Sequence, residues 1–250
     1  MKAFIIYLPE REHSVKHSQY MLETLKSYGI NAHLFVGTNG TEAVKMAAKG
    51  RKTLYPYSIK NRELGDEDLK RLLKPEYYEE FKKKHYYKII ERQEIGEKDI
   101  GKLSRPGVIG CFYSHYRLWE LCADTNEPIM IFEDDVKFFR KYEPVEFQDV
   151  LILSLGKNSF YDEPFKSYLE NPTGTPKAVD WKNFSMPGAS GYIIKPDAAR
   201  ALVKFYRPYW YPADNAINQF MCKIQIHTYI MGRNTTEDEG NISMTKSKDW

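Results

Sequence analysis

Pro128-Ile129-Met130-Ile131-Phe132-Glu133-Asp134-Asp135-Val136 is the stretch on which the fold turns, because four large apolar residues run without a break into three consecutive acids. A short run apolar on both sides reads as a buried central strand of an α/β sheet. The charge then arrives at the strand's C-terminal edge, where open α/β sheets bind their ligands. Side chains alternate along a strand, which puts Glu133 and Asp135 on one side and Asp134 on the other. Clustered carboxylates need compensation, and a hard divalent cation that also meets substrate phosphates supplies it. A solvated acidic strand end, or a cap on a following helix, is the plainer reading of the same residues.

The segments before this strand extend the α/β pattern. Ala3-Phe4-Ile5-Ile6-Tyr7-Leu8 is a β-rich apolar run stopped by Pro9 and the charged Glu10-Arg11-Glu12. Val15, Met21, Leu22 and Leu25 then form a helical stripe, Gly29 suits the helix end, and Ile30 to Val36 returns as a strand. His13 and His17 are four apart, yet no HExxH frame accompanies them, so they read as surface histidines. A second helix is expected from Pro106, with Cys111, His115, Leu118, Trp119 and Cys122 along one face. That face is mainly core, and a histidine on it is ordinarily a satisfied core residue.

After the acidic stretch, Asp149 to Ser154 reads as another buried strand. A loop follows over 156–176, and Gly188-Ala189-Ser190-Gly191-Tyr192-Ile193-Ile194 as a glycine-led strand. Pro196 opens a helix through Ala199, Leu202 and Val203, and Asp214 in Tyr211-Pro212-Ala213-Asp214-Asn215 is placed to cap another. Ile224 to Ile230 is the last expected strand. Between 41 and 105 the pattern is polar, basic and helical, with Lys82-Lys83-Lys84 and the pairs Tyr77-Tyr78 and Tyr86-Tyr87. This span is expected to be a helical insertion or lid in a single domain covering 1–250. It is either a solvated helical face or a surface for an anionic glycolipid or nucleic acid.

Global properties narrow the class without naming a substrate. The chain has 250 residues, a formal net charge of +3 and 42% hydrophobic residues, which excludes a disordered protein. Nineteen tyrosines suit sugar stacking as well as core packing. Met1-Lys2 leads directly into the first apolar run, which is too short for a signal segment, so a cytoplasmic location with peripheral membrane contact is the expectation. Cys111 and Cys122 are about 16 Å apart along one helix and cannot pair, and with Cys222 they are expected as reduced thiols. The N-x-S/T triplets at Asn183, Asn234 and Asn241 then read as chance matches.

Three segments together resemble glycosyltransferase family 25, the lipooligosaccharide and collagen galactosyltransferases. They are Gly107-x-x-Gly110-Cys111-x-x-Ser114-His115-x-x-x-Trp119, the acidic Ile131-Phe132-Glu133-Asp134-Asp135-Val136, and Gly188-x-x-Gly191-Tyr192-Ile193-Ile194-x-Pro196-x-x-Ala199. The resemblance implies a GT-A fold, a Rossmann-like mixed sheet flanked by helices. It implies a Mn²⁺ or Mg²⁺ ion, a nucleotide-sugar donor (a UDP-sugar favoured) and an oligosaccharide or glycolipid acceptor, with no nucleic acid expected. On that template Asp135 binds the metal, joined by Asp134 and a late His227, while Glu133 and Asp134 face the donor. Ser114, His115, Tyr7, Leu8, Gly188 and Gly191 are the further donor-site residues, and Asp214 is the base for an inverting transfer. His227 is equally readable as a strand residue facing the core. The opening Tyr7-Leu8-Pro9-Glu10-Arg11 departs from the family's asparagine-leucine form, which leaves the preferred nucleoside base unassigned. A nucleotidyltransferase, or a non-catalytic binder of anionic glycans or nucleic acid, is the competing reading; the first β-α turn lacks the glycine-rich basic loop a triphosphate would need.

Overall fold

The computed structural model describes residues 1–50, 52–53, 106–155, 179–180, 186 and 188–234, together with 67, 70, 71, 75, 78 and 79. Strand β1 (Lys2–Tyr7), helix α1 (Glu12–Ser27) and strand β2 (Asn31–Val36) form the opening β-α-β unit. Gly29 follows α1 at φ +79°, the left-handed turn that ends a helix most cheaply when no Cβ is present. Helix α2 (Gly40–Gly50) is capped by Asn39, whose side-chain oxygen accepts the Thr41 N–H at 2.8 Å. Strand β3 (Lys52–Thr53) lies beside β9 (Tyr209–Trp210) in a small parallel pair. Helix α3 (Pro106–Thr125) precedes β4 (Ile129–Glu133) and β5 (Val136–Phe138). Strands β6 (Val150–Leu155), β7 (Val179–Asp180) and β8 (Gly191–Ile194) lead to helix α4 (Pro196–Tyr206). Two one-turn helices, α5 (Ala213–Ala216) and α6 (Gln219–Cys222), precede the long strand β10 (Ile226–Asn234).

The main sheet has the order β2-β1-β4-β8-β6-β10-β5, with β7 also on β10. β2, β1 and β4 run parallel, β8 is antiparallel between β4 and β6, and β10 is again parallel to β6. The fold is therefore a mixed α/β sheet flanked by helices. Residue alternation explains the two faces. Ile129, Ile131, Val150, Ile152, Tyr192 and Ile194 face α2, α3 and α4, whereas Met130, Phe132, Leu151, Leu153 and Ile193 face α1. Every residue of β4 up to Phe132 is buried, as an apolar run between two neighbouring strands requires.

Two expected boundaries shift. The last strand runs from Ile226 to Asn234, not 224 to 230, since β10 continues past an irregularity between Thr228 and Gly232 to pair with β5. Of the span 41–105, its first ten residues belong to α2, where buried Ala43 and Ala47 pack in the α3 face of the core, and Tyr78 joins the same cluster. Lys82-Lys83-Lys84, Tyr77, Tyr86-Tyr87 and the loop 156–176 lie outside the described residues. No helix among the described residues is long and apolar enough to cross a membrane.

Candidate functional site

Glu133 is the last residue of β4, and Asp134 and Asp135 form the turn that carries the chain from the sheet's centre to β5 at its far edge. Alternation along β4 points Glu133 at α3. There its Oε1 accepts a hydrogen bond from the Cys111 thiol at 3.1 Å and lies 3.3 Å from His115 Nε2. Burial raises the Glu133 pKa, but hydrogen bonding from His115, the electrostatic pull of its ring N–H and the Cys111 thiol outweigh that, leaving the carboxyl below its usual value. The backbone N–H of Glu133 donates to Ser190 O at 2.9 Å, which fixes the glycine-led segment 188–191 alongside it.

His115 is fully buried and held from both ends. Its Nδ1 is 2.8 Å from the Tyr192 hydroxyl, which also accepts the Trp119 Nε1 hydrogen at 2.8 Å. The rings of His115 and Tyr192 stack at 5.7 Å. These distances close as one chain when Tyr192 O–H donates to Nδ1 and Nε2–H donates to Glu133, a tautomer assigned from the partners. Trp119, Tyr192, His115 and Glu133 thus link the core to the sheet edge. Spacing alone did not reveal this, although a tyrosine buried in a strand must satisfy its hydroxyl and so signals such a partner.

Asp134 takes the opposite face. Its carboxylate is buried at the start of α1, hydrogen-bonded by Ser14 and close to His13. Burial raises its pKa, the Ser14 contact opposes the rise, and the Glu133 charge adds to it. Ser14 Oγ also accepts the Leu8 N–H at 2.8 Å, so Asp134 braces the loop after β1. Asp135 is partly exposed, and its Oδ2 accepts from Asn234 Nδ2 at 2.7 Å. Asn234, read in sequence only as a chance glycosylation triplet, is therefore a partner of the acidic turn.

Asp214 sits in the first turn of α5, a helix that packs against α3, and is partly exposed. Pro212, not Asp214, occupies the N-cap; Asp214 Oδ1 accepts the Asn215 N–H at 2.9 Å. Asp214 and Asp135, like Glu133, lie close enough to Cys111 to add to the effect of burial in raising its thiol pKa well above the usual value. Carboxylates from two separate parts of the chain, the turn after β4 and helix α5, thus come near enough to Cys111 of α3 to act on its thiol.

Other sequence-selected residues have defined places. Ser114 Oγ donates to Gly110 O at 2.7 Å and accepts the Thr38 N–H at 2.8 Å, tying the loop after β2 to α3. Tyr7 ends β1, and its carbonyl accepts the Gly37 N–H at 2.8 Å; Leu8 is buried beside it. A Cβ on Gly191 would lie 2.8 Å from the Phe132 ring and 2.9 Å from Ser154 Cβ, so that glycine serves strand packing. Gly188 has φ +74°, and among the described residues no atom lies within 4 Å of where a Cβ would stand. His227 does not join the acidic residues. It pairs in register with Leu151 near the start of β6, whereas Arg233 beside Asn234 pairs with Leu155, about 13 Å further along at the rise of a strand. The direction of β10 thus removes His227 from the metal-ligand set.

Comparison with known proteins identifies a family. The family model described as glycosyltransferase family 25 (LPS biosynthesis protein) matches residues 1–217. The lipooligosaccharide biosynthesis protein lex-1 of Haemophilus influenzae is 31% identical over 118 residues, covering 40% of this chain and 37% of that protein. A rat protein described as probable inactive glycosyltransferase 25 family member 3 is 38% identical over 65 residues, 24% of this chain and 11% of its own length. The matched stretches thus span well under two thirds of either relative. A CTP:phosphocholine cytidylyltransferase from Streptococcus pneumoniae superposes with a TM-score of 0.38 and 12% identity, over 92% of this chain and 89% of that one, a level that carries no argument about shared chemistry. With the family model matching 217 of 250 residues, acidic turn and α3 included, the chain belongs to glycosyltransferase family 25.

Proposed function

We propose that the protein is a metal-dependent inverting glycosyltransferase of GT-A type. It moves a sugar from a nucleoside diphosphate donor, a UDP-sugar favoured, to an oligosaccharide or glycolipid acceptor. The observation that carries this reading is the acidic turn Glu133-Asp134-Asp135 at the C-terminal end of the buried strand β4, with Glu133 hydrogen-bonded to Cys111 of α3 and Asp135 held by Asn234. The name of lex-1 supports a role in lipooligosaccharide assembly. The partly exposed carboxylates of Glu133 and Asp135 are hard oxygen donors, which suit Mn²⁺ or Mg²⁺. Asp135 is the residue to hold that cation, which when bound offsets the charge growing on the departing nucleoside diphosphate.

The chain's own residues supply the rest. Glu133, kept ionised by His115 and Cys111 and held by both so that it cannot swing freely, contributes fixed negative charge at the edge where the donor would bind. Asn234 holds the Asp135 carboxylate through one oxygen. Gly188, two residues before the Ser190 whose carbonyl accepts the Glu133 N–H, carries no side chain and permits close approach of a ligand to the backbone there. Asp214 accepts the proton of the acceptor hydroxyl as that oxygen attacks the anomeric carbon, and its Asn215 hydrogen bonds hold it in place. Peripheral contact with an acidic membrane surface would bring a glycolipid acceptor to this edge.

The experiment is a screen of UDP-, GDP- and CMP-sugars with Mn²⁺, with Mg²⁺ and with chelator, reading both melting temperature and nucleotide release. The reading requires one nucleotide class to stabilise the protein only with the cation. Equal stabilisation in chelator, or pyrophosphate release from a triphosphate, would replace it with a binding protein or a nucleotidyltransferase.

A further inference from the structure

Cys111 and His115 are one helical turn apart on α3 and present Sγ and Nε2 to the same carboxylate of Glu133. The three ligand atoms all lie within 4.8 Å of one another. A tetrahedral zinc ion with bonds of about 2.3 Å to sulfur and about 2.0 Å to nitrogen and oxygen separates its ligands by about 3.3–3.6 Å. The observed edges are 3.1 Å from sulfur to oxygen and 3.3 Å from nitrogen to oxygen. Hydrogen bonding thus already sets the two edges to the Glu133 oxygen near those of a tetrahedral cation site, with the sulfur–nitrogen edge within 4.8 Å.

We propose that Cys111, His115 and Glu133 form a binding site for a thiophilic divalent cation, zinc above all, distinct from the carboxylate-held cation of the donor site. Thiolate and imidazole favour zinc over Mn²⁺ or Mg²⁺. The outer support that a ligating histidine needs is present, because Nδ1 meets the Tyr192 oxygen, itself fixed by Trp119. Cys111 and Glu133 are each partly exposed, which leaves an open position for water or a fourth ligand. On entry the cation replaces the Cys111 S–H hydrogen, which leaves as a proton to solvent. The His115 ring proton passes from Nε2 to Nδ1, the Tyr192 hydroxyl hydrogen rotates away from the ring so that its oxygen accepts from Nδ1–H, and nothing is oxidised or reduced. Because Glu133 is shared, an occupied site withdraws it from the donor. That consequence rests on the glycosyltransferase reading, whereas the site itself does not.

The test is cobalt titration of the full chain, followed by displacement with zinc. Oxygen ligation at Asp135, or imidazole ligation at the surface pair His13 and His17, gives no thiolate-to-cobalt charge-transfer band. The expected result is such a band saturating at one cobalt per chain and erased by zinc. It is lost in Cys111→Ser and retained in Cys122→Ala and Cys222→Ala. Glu133→Gln, which preserves side-chain volume, is expected to weaken cobalt more than about tenfold. It carries the same test if Cys111→Ser fails to fold, as checked by circular dichroism. Absence of the band in the wild type, its persistence in Cys111→Ser, its loss in Cys122→Ala or Cys222→Ala, or unchanged affinity in Glu133→Gln would each overturn the site. None of these readouts depends on transfer activity.

Discussion

Replacing Tyr192 by Phe removes one oxygen that serves two fully buried partners, the Trp119 indole N–H and His115 Nδ1, both at 2.8 Å. Phenylalanine keeps the ring in its place between β4 and β6 and its stack on His115, so apolar burial barely changes. What is lost is satisfaction. Trp119 and His115 are 0% exposed, so water cannot replace the hydroxyl without opening the core. Each orphaned buried group costs about 1–3 kcal/mol, which gives about 2–4 kcal/mol for the pair once some relaxation is allowed. For a chain of this size that is a fall in melting temperature of about 5–15 °C. Urea unfolding followed by circular dichroism should show the lower midpoint with an unchanged slope, since the surface exposed on unfolding is the same. A Tyr192→Phe protein within about 0.5 kcal/mol of wild type would refute the reasoning, because it would mean that the hydroxyl is not the junction of that network.

Gly191→Ala should cost about 1–3 kcal/mol by overpacking against Phe132 and Ser154. Gly188→Ala, which meets no atom of the described residues, should lose only about 1 kcal/mol to its left-handed backbone, and urea midpoints rank the two. The Glu133 carboxyl has a lowered pKa, so its contribution to stability is present above the unfolded pKa and is lost as pH falls through the folded value. The stability difference between wild type and Glu133→Gln should therefore be full at neutral pH and shrink on acidification below about pH 5, measured by urea unfolding across pH. Cys122 is buried and its thiol pushed up to about 12, and burial likewise raises that of Cys222. Both should resist iodoacetamide at pH 8 in the native state and react only in denaturant, as mass spectrometry of modified peptides would report.

The elements that surround the site were legible because their patterns are strong. β1, α1 and α3 follow from an apolar run, a helical stripe and a proline start, and β4 from its unbroken apolar face. Alternation also sorted the acids, with Glu133 toward α3 and Asp134 toward α1, since the rule needs only that β4 be a strand up to Phe132. Long-range register was not legible. Nothing local tells that Asp134-Asp135 is a turn delivering β5 to the far edge, or that β10 extends to Asn234 and presents it to Asp135. His227 was misplaced for the same reason, because its position along β10 depends on pairing with β6. Ser114 shows a different gap: a serine in a motif helix reads as ligand-facing, but here its hydroxyl spans Gly110 and Thr38 in the core.

The central claim is that the acidic turn after β4 is the seat of a cation and a nucleoside diphosphate. Its most direct test is isothermal titration of UDP, in saturating Mn²⁺, into wild type and Asp135→Ala. Asp135 is partly exposed and bound through Asn234, so the substitution should leave the fold intact. The account predicts Mn²⁺-dependent binding to the wild type that weakens by at least about a hundredfold in the variant, equivalent to about 2.7 kcal/mol. Equal affinity for UDP in the two proteins, or binding by wild type that is indifferent to Mn²⁺, would contradict it.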